Sequence, residues 1–136
     1  MTSRNADNHI EDFIGALLLS AYAIFETYNL PGQSLCLSSL GLRFEDGLVL
    51  LQPVPEDDEV HFKVVQPNDI NEELQGHSEL ELPFIGQTMN CFWKCTNNNG
   101  YFDMAIFGFH RLDPSLAIVA EGGSLKLFLL PSPIVN

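Results

Sequence analysis

Three short polar turns, each set between runs that alternate apolar and polar residues, constrain this chain more than any other feature: Asp46-Gly47, Asn99-Gly100 and Gly122-Gly123. Tight hairpin loops need positive φ at central positions, which Gly, Asn and Asp tolerate and bulkier residues do not. The flanks carry the matching period: "LGLRFE" and "LVLLQPV" around the first turn, "CFWKCT" and "YFDMAIFGF" around the second, "PSLAIVA" and "LKLFLLP" around the third. Period-two alternation sends successive side chains to opposite faces, so each pair of runs predicts an antiparallel hairpin.

Pairing across the turns predicts which residues share a face. Around Asp46-Gly47, Leu42 and Phe44 join Val49 and Leu51, while Arg43 and Glu45 turn the other way beside Leu48 and Leu50. A further strand, "EVHFKVV", follows the turn Pro55-Glu56-Asp57-Asp58 and sets Val60, Phe62 and Val64 against Glu59, His61 and Lys63. Around Gly122-Gly123, Leu116, Ile118 and Ala120 meet Leu125, Leu127 and Leu129, and Glu121 becomes a diagonal neighbour of Lys126.

The middle hairpin has two unequal faces. With a two-residue loop Trp93 lies opposite Ile106 and Cys95 opposite Met104, which gathers Cys91, Trp93, Cys95, Phe102, Met104 and Ile106 on one apolar face. That face is the expected core, with Cys91 and Cys95 as small buried residues rather than nucleophiles. The other face carries Phe92, Phe107 and Phe109 far from the turn and Lys94, Thr96, Tyr101 and Asp103 near it, with Lys94 and Asp103 placed to pair. Three phenylalanines on a solvated face need a cover: a loop such as Gln66–Pro83, a partner, or a ligand. Phe92, Lys94, Tyr101, Asp103, Phe107 and Phe109 are therefore candidate partner or ligand residues.

The N-terminal stretch "NHIEDFIGALLLSAYAIFETYNLPG" places apolar residues at Ile10, Phe13, Ile14, Leu17, Leu18, Ala21, Ile24, Phe25 and Tyr28. This three-four spacing predicts a long amphipathic helix, capped by Asn8 with Glu11 and stopped by Asn29-Leu30-Pro31-Gly32. Between the strands, 66–83 shows no clear apolar period and reads as an exposed connection with one helical turn at Asn71–Leu74. The expected fold is α+β, a single domain over 1–136: one long N-terminal helix packed on a six- to seven-stranded antiparallel hairpin-rich sheet.

Charge narrows the partners. The chain carries 18 acidic and 6 basic residues, a net charge of −12, and a field of that sign repels nucleic-acid phosphates and anionic lipid surfaces. From Glu45 to Glu81 the only base is Lys63, so the acidity is concentrated, and Asp57, Asp58, Glu59, Glu72 and Glu73 become candidate contacts for a basic partner. Cys36, Cys91 and Cys95 form neither a CxxC pair nor a Cys/His cluster, and His61 and His77 lack a second ligand at metal spacing. No nucleotide-binding, nucleophile-elbow or zinc-protease motif occurs, and the acidic run 56–59 lacks the alternating ligands and Gly of an EF-hand loop. No catalytic residue, cofactor or metal is expected. The start "MTSRNADNHIED" lacks the basic, apolar pattern of a signal peptide, and free thiols fit a cytoplasmic protein.

The run "FWKCTNNNGYFDMAIFGF", with its Trp, Asn-Gly turn, Tyr-x-Asp and alternating strand, resembles small uncharacterised bacterial proteins of the immunity-protein-like kind over about 83–130. The resemblance implies a cytoplasmic binding protein without catalysis and carries over no site residue. The leading expectation is a non-catalytic protein-binding domain, of the immunity or regulatory kind, using its acidic surface against a basic protein. Two alternatives stand beside it: a small-ligand-binding or enzymatic α+β domain with an aromatic pocket at Phe92, Phe107 and Phe109 and Tyr101, Asp103 or His110 as polar groups, and a structural homodimer subunit.

Overall fold

The computed structural model describes residues 9–26, 35–109 and 111–130. The expected N-terminal helix is not formed. Ile10–Phe13 make one 3-10 turn, Gly15 follows at φ +95°, and Leu18–Phe25 form a strand, β1. A bulge between Leu18 and Ser20 explains the misreading. It places the buried Leu18 and Ala21 three residues apart, which imitates a helical step, whereas a regular strand repeats every two. Neighbours on both edges of β1 supply the tertiary pairing that overrides the helical pattern. The expected cap at Asn8 and stop at 29–32 lie outside the described residues.

The other strands are β2 (Leu35–Phe44), β3 (Gly47–Val54), β4 (Glu59–Val65), β5 (Ser78–Glu79), β6 (Met89–Thr96), β7 (Phe102–Phe109), β8 (Leu116–Glu121) and β9 (Ser124–Leu129). They form one antiparallel sheet in the order β4-β3-β2-β9-β8-β7-β6, with β1 on the other edge of β2 and β5 beyond β1. The fold is thus mostly β, and the helical content of the connection is Pro67–Asp69 and the single turn α1 (Ile70–Glu73). The long β2 makes the sheet curl: Leu40–Phe44 pair with β3, while Leu35–Leu37 pair with β9. The result is a half-barrel whose far strand is laced back to the start of β1 by the Leu17–Thr88 bridge and the bonds Leu18 N–H to Gln87 O, 2.9 Å, and Met89 N–H to Ala16 O, 2.9 Å.

The core fills the inside of the curl with Leu18, Leu40, Leu42, Phe44, Leu51, Phe107, Leu116, Ile118 and Leu125. The faces expected for β2, β3, β4 and the β8–β9 hairpin are those observed: Leu42 sits opposite Val49, Leu51 opposite Phe62, and Lys126 reaches Glu121 at 2.6 Å. On the outer side a smaller cluster of Leu48, Leu50, Val65 and Ile70 is completed by Leu74. Residues 66–79 are therefore a strap across the outside of β4, β3 and β2, fastened by Lys63–Glu73 at 2.7 Å and by Ser39 Oγ to His77 Nε2 at 2.9 Å. Ser39 is 1% exposed, so this hydroxyl–imidazole pair is a latch out of reach of a substrate. Replacing Ser39 with Ala is expected to cost about 1 kcal/mol and to speed amide exchange at Ser78 and Glu79, read by hydrogen-exchange NMR.

The central hairpin keeps its expected register and reverses its expected faces. Trp93 is opposite Ile106 and Cys95 opposite Met104, yet the buried members are Phe102, Ala105, Phe107 and Phe109, while Trp93 is 38% exposed. A register shift between Cys95 and Thr96 lets Phe102 point inward together with Phe107, although strict alternation would set them on opposite faces. The aromatic cover over the phenylalanines comes from outside 66–83, while Leu80 and Leu82 of that segment join the same core cluster. Phe62 of β4 meets Phe92 and Phe102 at ring distances of 5.4 and 5.2 Å, and Phe84 stacks on Phe109 at 5.2 Å.

Candidate functional site

The "TNNNGYFD" run is a turn built on one side chain. Asn97 Oδ1 accepts from the N–H groups of Asn99 at 2.9 Å and Tyr101 at 3.2 Å, Asn97 N–H bonds Tyr101 O at 2.9 Å, and Gly100 takes φ +88°. The candidate residues around it disperse. Phe107 and Phe109 are core, Phe92 is half-buried against Phe62 and Phe107, and Tyr101 is exposed at the tip. Lys94 and Asp103 do not pair: Lys94 Nζ stands 4.8 Å over the Phe102 ring, and Asp103 accepts from Asn97 Nδ2 at 3.4 Å. A hollow of about 200 Å³ remains, lined by Val60, His61, Phe62, Lys94 and Phe102. His110 lies outside the described residues.

Fold geometry splits the acidic span. β3 is eight residues long, so its two turns stand about 25 Å apart at roughly 3.3 Å per residue. Glu45 and Asp46 occupy one end. Glu56, Asp57 and Asp58 occupy the other, where three hairpin tips converge: Pro55 approaches Gly123, and Glu59 Oε2 accepts from Phe102 N–H at 3.0 Å. Glu59 is thus a structural acceptor that ties β4 to β7. Glu59→Ala is expected to lose about 1–3 kcal/mol by leaving that N–H without its partner, and Glu59→Gln, which keeps a carbonyl acceptor, to recover most of it in denaturant unfolding. Glu73 is held by Lys63 and Glu72 is exposed.

A larger feature escaped the sequence reading. Between the bonds Leu80 N–H to Ala21 O and Gly86 N–H to Leu18 O, both 2.8 Å, residues 81–85 bow away from β1. They leave an open cleft of about 510 Å³ along its edge, within the ~300–1,000 Å³ typical of ligand pockets. The run "ELELPFI" alternates: Glu79, Glu81, Pro83 and Ile85 are exposed, while Leu82 is buried and Leu80 and Phe84 pack on the core. That alternation was present in the sequence, hidden because the strap before it has no period. Glu79 and Glu81 line the cleft beside Leu19, Ser20 and Ile85, and its lining includes no base.

Every lysine and arginine among the described residues is already engaged. Lys63 holds Glu73, Arg111 holds Asp113, Lys126 holds Glu121, Arg43 Nε donates to Phe44 O at 3.0 Å, and Lys94 lies on Phe102. Against this, Glu11, Asp12, Glu45, Asp46, Glu56, Asp57, Asp58, Asp69, Glu72, Glu79 and Glu81 are all exposed.

All three cysteines are half-buried, and Cys91 and Cys95 form no disulfide. Desolvation pushes the Cys91 thiol up, with the negative charge of Asp113 adding to it, so the neutral thiol rather than the nucleophilic thiolate predominates at neutral pH. No group of three or more His, Cys, Asp or Glu among the described residues is arranged to hold a metal ion, and no helix among them is long and apolar enough to cross a membrane.

A mostly β, antiparallel half-barrel with an acidic exterior is the class these features define. The chain matches the family of unknown function DUF6334 over residues 1–133 and belongs to that family. No curated protein and no solved structure matches it.

Proposed function

We propose that this chain is a non-catalytic, cytoplasmic protein-binding domain, of the immunity or regulatory kind, that recognises a basic protein partner. The observation that supports this reading is the imbalance of free charge: the described bases are engaged within the fold, and the exposed carboxylates face solvent. Such a surface accelerates encounter with a cationic partner and disfavours acidic competitors, in a salt-dependent way. The hairpin tips carrying Asp57 and Asp58 steer the partner, and the Glu79–Glu81 cleft, with its apolar Leu19 and Ile85, receives a basic side chain together with its aliphatic stem.

Affinity capture from the native host at low and high salt tests this. A strongly basic protein should be recovered at low salt and released at high salt. The pair Asp57→Asn with Asp58→Asn should slow its association by roughly tenfold. Glu79→Gln with Glu81→Gln should instead accelerate dissociation. Recovery of no basic partner, or capture indifferent to salt and to both variants, sinks the reading.

A further inference from the structure

The outward face of the β6-β7-β8-β9 layer is apolar where a solvated sheet face would be polar. Pairing aligns Trp93, Ile106, Ala117 and Phe128 in one row across four strands, and Cys95, Met104, Val119 and Lys126 in the next. Trp93 and Phe128 are each 38% exposed, and Leu112, whose carbonyl lies 3.6 Å from the Cys91 sulfur at the edge of this face, is 74% exposed. An antiparallel sheet with one solvated face normally alternates apolar-in and polar-out, and an apolar stripe spanning four strands marks a contact surface. Trp, Met and Phe are the residue types enriched in such contacts.

We infer that this face is the interface between two copies of the chain, packed sheet on sheet about a two-fold axis. Charge selects the occupant. At −12 two copies repel through the exposed carboxylates of the strap, the cleft and the hairpin tips. This face carries no unbalanced charge in its two rows, since Lys126 is bonded to Glu121 of its own chain. It is therefore the side on which a second copy can approach without stacking carboxylate on carboxylate. Four strands of eight, eight, six and six residues, at about 4.8 Å between strands and about 3.3 Å per residue, give a planar footprint of roughly 440 Å², to which side-chain relief adds. A standard interface takes roughly 600–1,000 Å² of accessible surface from each partner. In an isologous contact Trp93 and Phe128 of one copy lie over the corresponding row of the other, with the two sheets about 10 Å apart.

The test is the mass of the full chain by sedimentation equilibrium, from low to high micromolar, with circular dichroism on each variant to establish folding. A dimer is expected, retained or tightened at high salt because its contact is apolar. Trp93→Glu and Phe128→Glu should each weaken it by at least a hundredfold while leaving the far-UV spectrum unchanged. Asp57→Asn with Asp58→Asn, at the hairpin tips, should leave the dimer intact. If either sheet variant fails to fold, Trp93→Ser and Phe128→Ser, which shorten without charging, provide the same readout. A monomer throughout, a dimer dispersed by salt, or a dimer indifferent to substitution at Trp93 and Phe128 overturns the inference. None of these results bears on capture of a basic partner, which involves the opposite sign of salt dependence and other residues.

Discussion

Phe107→Ala should cost about 3–5 kcal/mol of folding stability, the range for truncating a fully buried aromatic side chain. Phe107 is 0% exposed and touches Phe92 at 5.3 Å and Phe109 at 6.4 Å between ring centroids. Its removal therefore opens a cavity in the middle of the layer between β7 and β4. Trp93→Ala, on the other face of the same hairpin, should cost about 1 kcal/mol or less when measured at a dilution that keeps the chain monomeric, in keeping with partly exposed positions. The comparison is diagnostic because the sequence alone ranks these residues in the reverse order. Denaturant unfolding of both variants, with the slope checked for constancy, reads the difference directly. Equal losses, or a larger loss at Trp93, would mean that the hairpin buries its other face.

Gly108→Ala is the second large effect, and its cause is local. A Cβ at Gly108 would lie 2.5 Å from the Cys91 sulfur and 2.8 Å from the Asp113 carbonyl oxygen. The sulfur can swing aside, but the carbonyl belongs to the backbone of the 111–113 loop. Overpacking of this kind costs about 1–3 kcal/mol where side chains yield, and the backbone contact places Gly108→Ala at or above the top of that range. Cys91→Ala removes one of the two clashes and should restore part of the loss, so the double variant should be more stable than Gly108→Ala alone. A thermal melt of the three proteins measures this, and no recovery in the double variant would assign the cost wholly to the Asp113 carbonyl.

Much of the strand architecture was legible residue by residue. Asn99-Gly100 and Gly122-Gly123 lie at hairpin tips with their glycines at positive φ, whereas the first loop is Glu45-Asp46, one residue earlier than expected, with Gly47 already paired to Phe44 in β3; backbone demands at tight turns are local and only a few residue types meet them. The faces of β4 and β9 were legible because their outer sides carry Lys63 and Lys126, and a charged residue states which side is wet; β3, apolar on both faces, takes its orientation from its pairing with β4. The helix turn in the strap was found within a residue of its place. The N-terminal strand was not, because a bulge at Leu19 set buried Leu18 and Ala21 at a helical interval, and the strand edges that claim this segment come from β2 and from the distant residues 78–79.

The candidate site was less legible than the fold. Asp57 and Asp58 are exposed at a hairpin tip as anticipated, but Glu59 and Glu73 are held within the fold, Phe107 and Phe109 are core, and the Glu79–Glu81 cleft was overlooked. A cleft is formed by two segments far apart in sequence, here Leu19–Ala21 and Glu79–Ile85, so neither segment announces it alone.

By itself the sequence determined the hairpins, the register at the second and third turns and the acidity of the exterior, since turn conformation, alternation and charge are properties of neighbouring residues. Only the tertiary structure decided which face of the central hairpin is inside. Both of its faces carry large apolar residues, and alternation ranks the Trp93 face inside only because the other also bears Lys94, Thr96, Tyr101 and Asp103. The choice is made by Phe62 and Phe84, which close over Phe92, Phe102 and Phe109 from distant parts of the chain and leave Trp93 facing out.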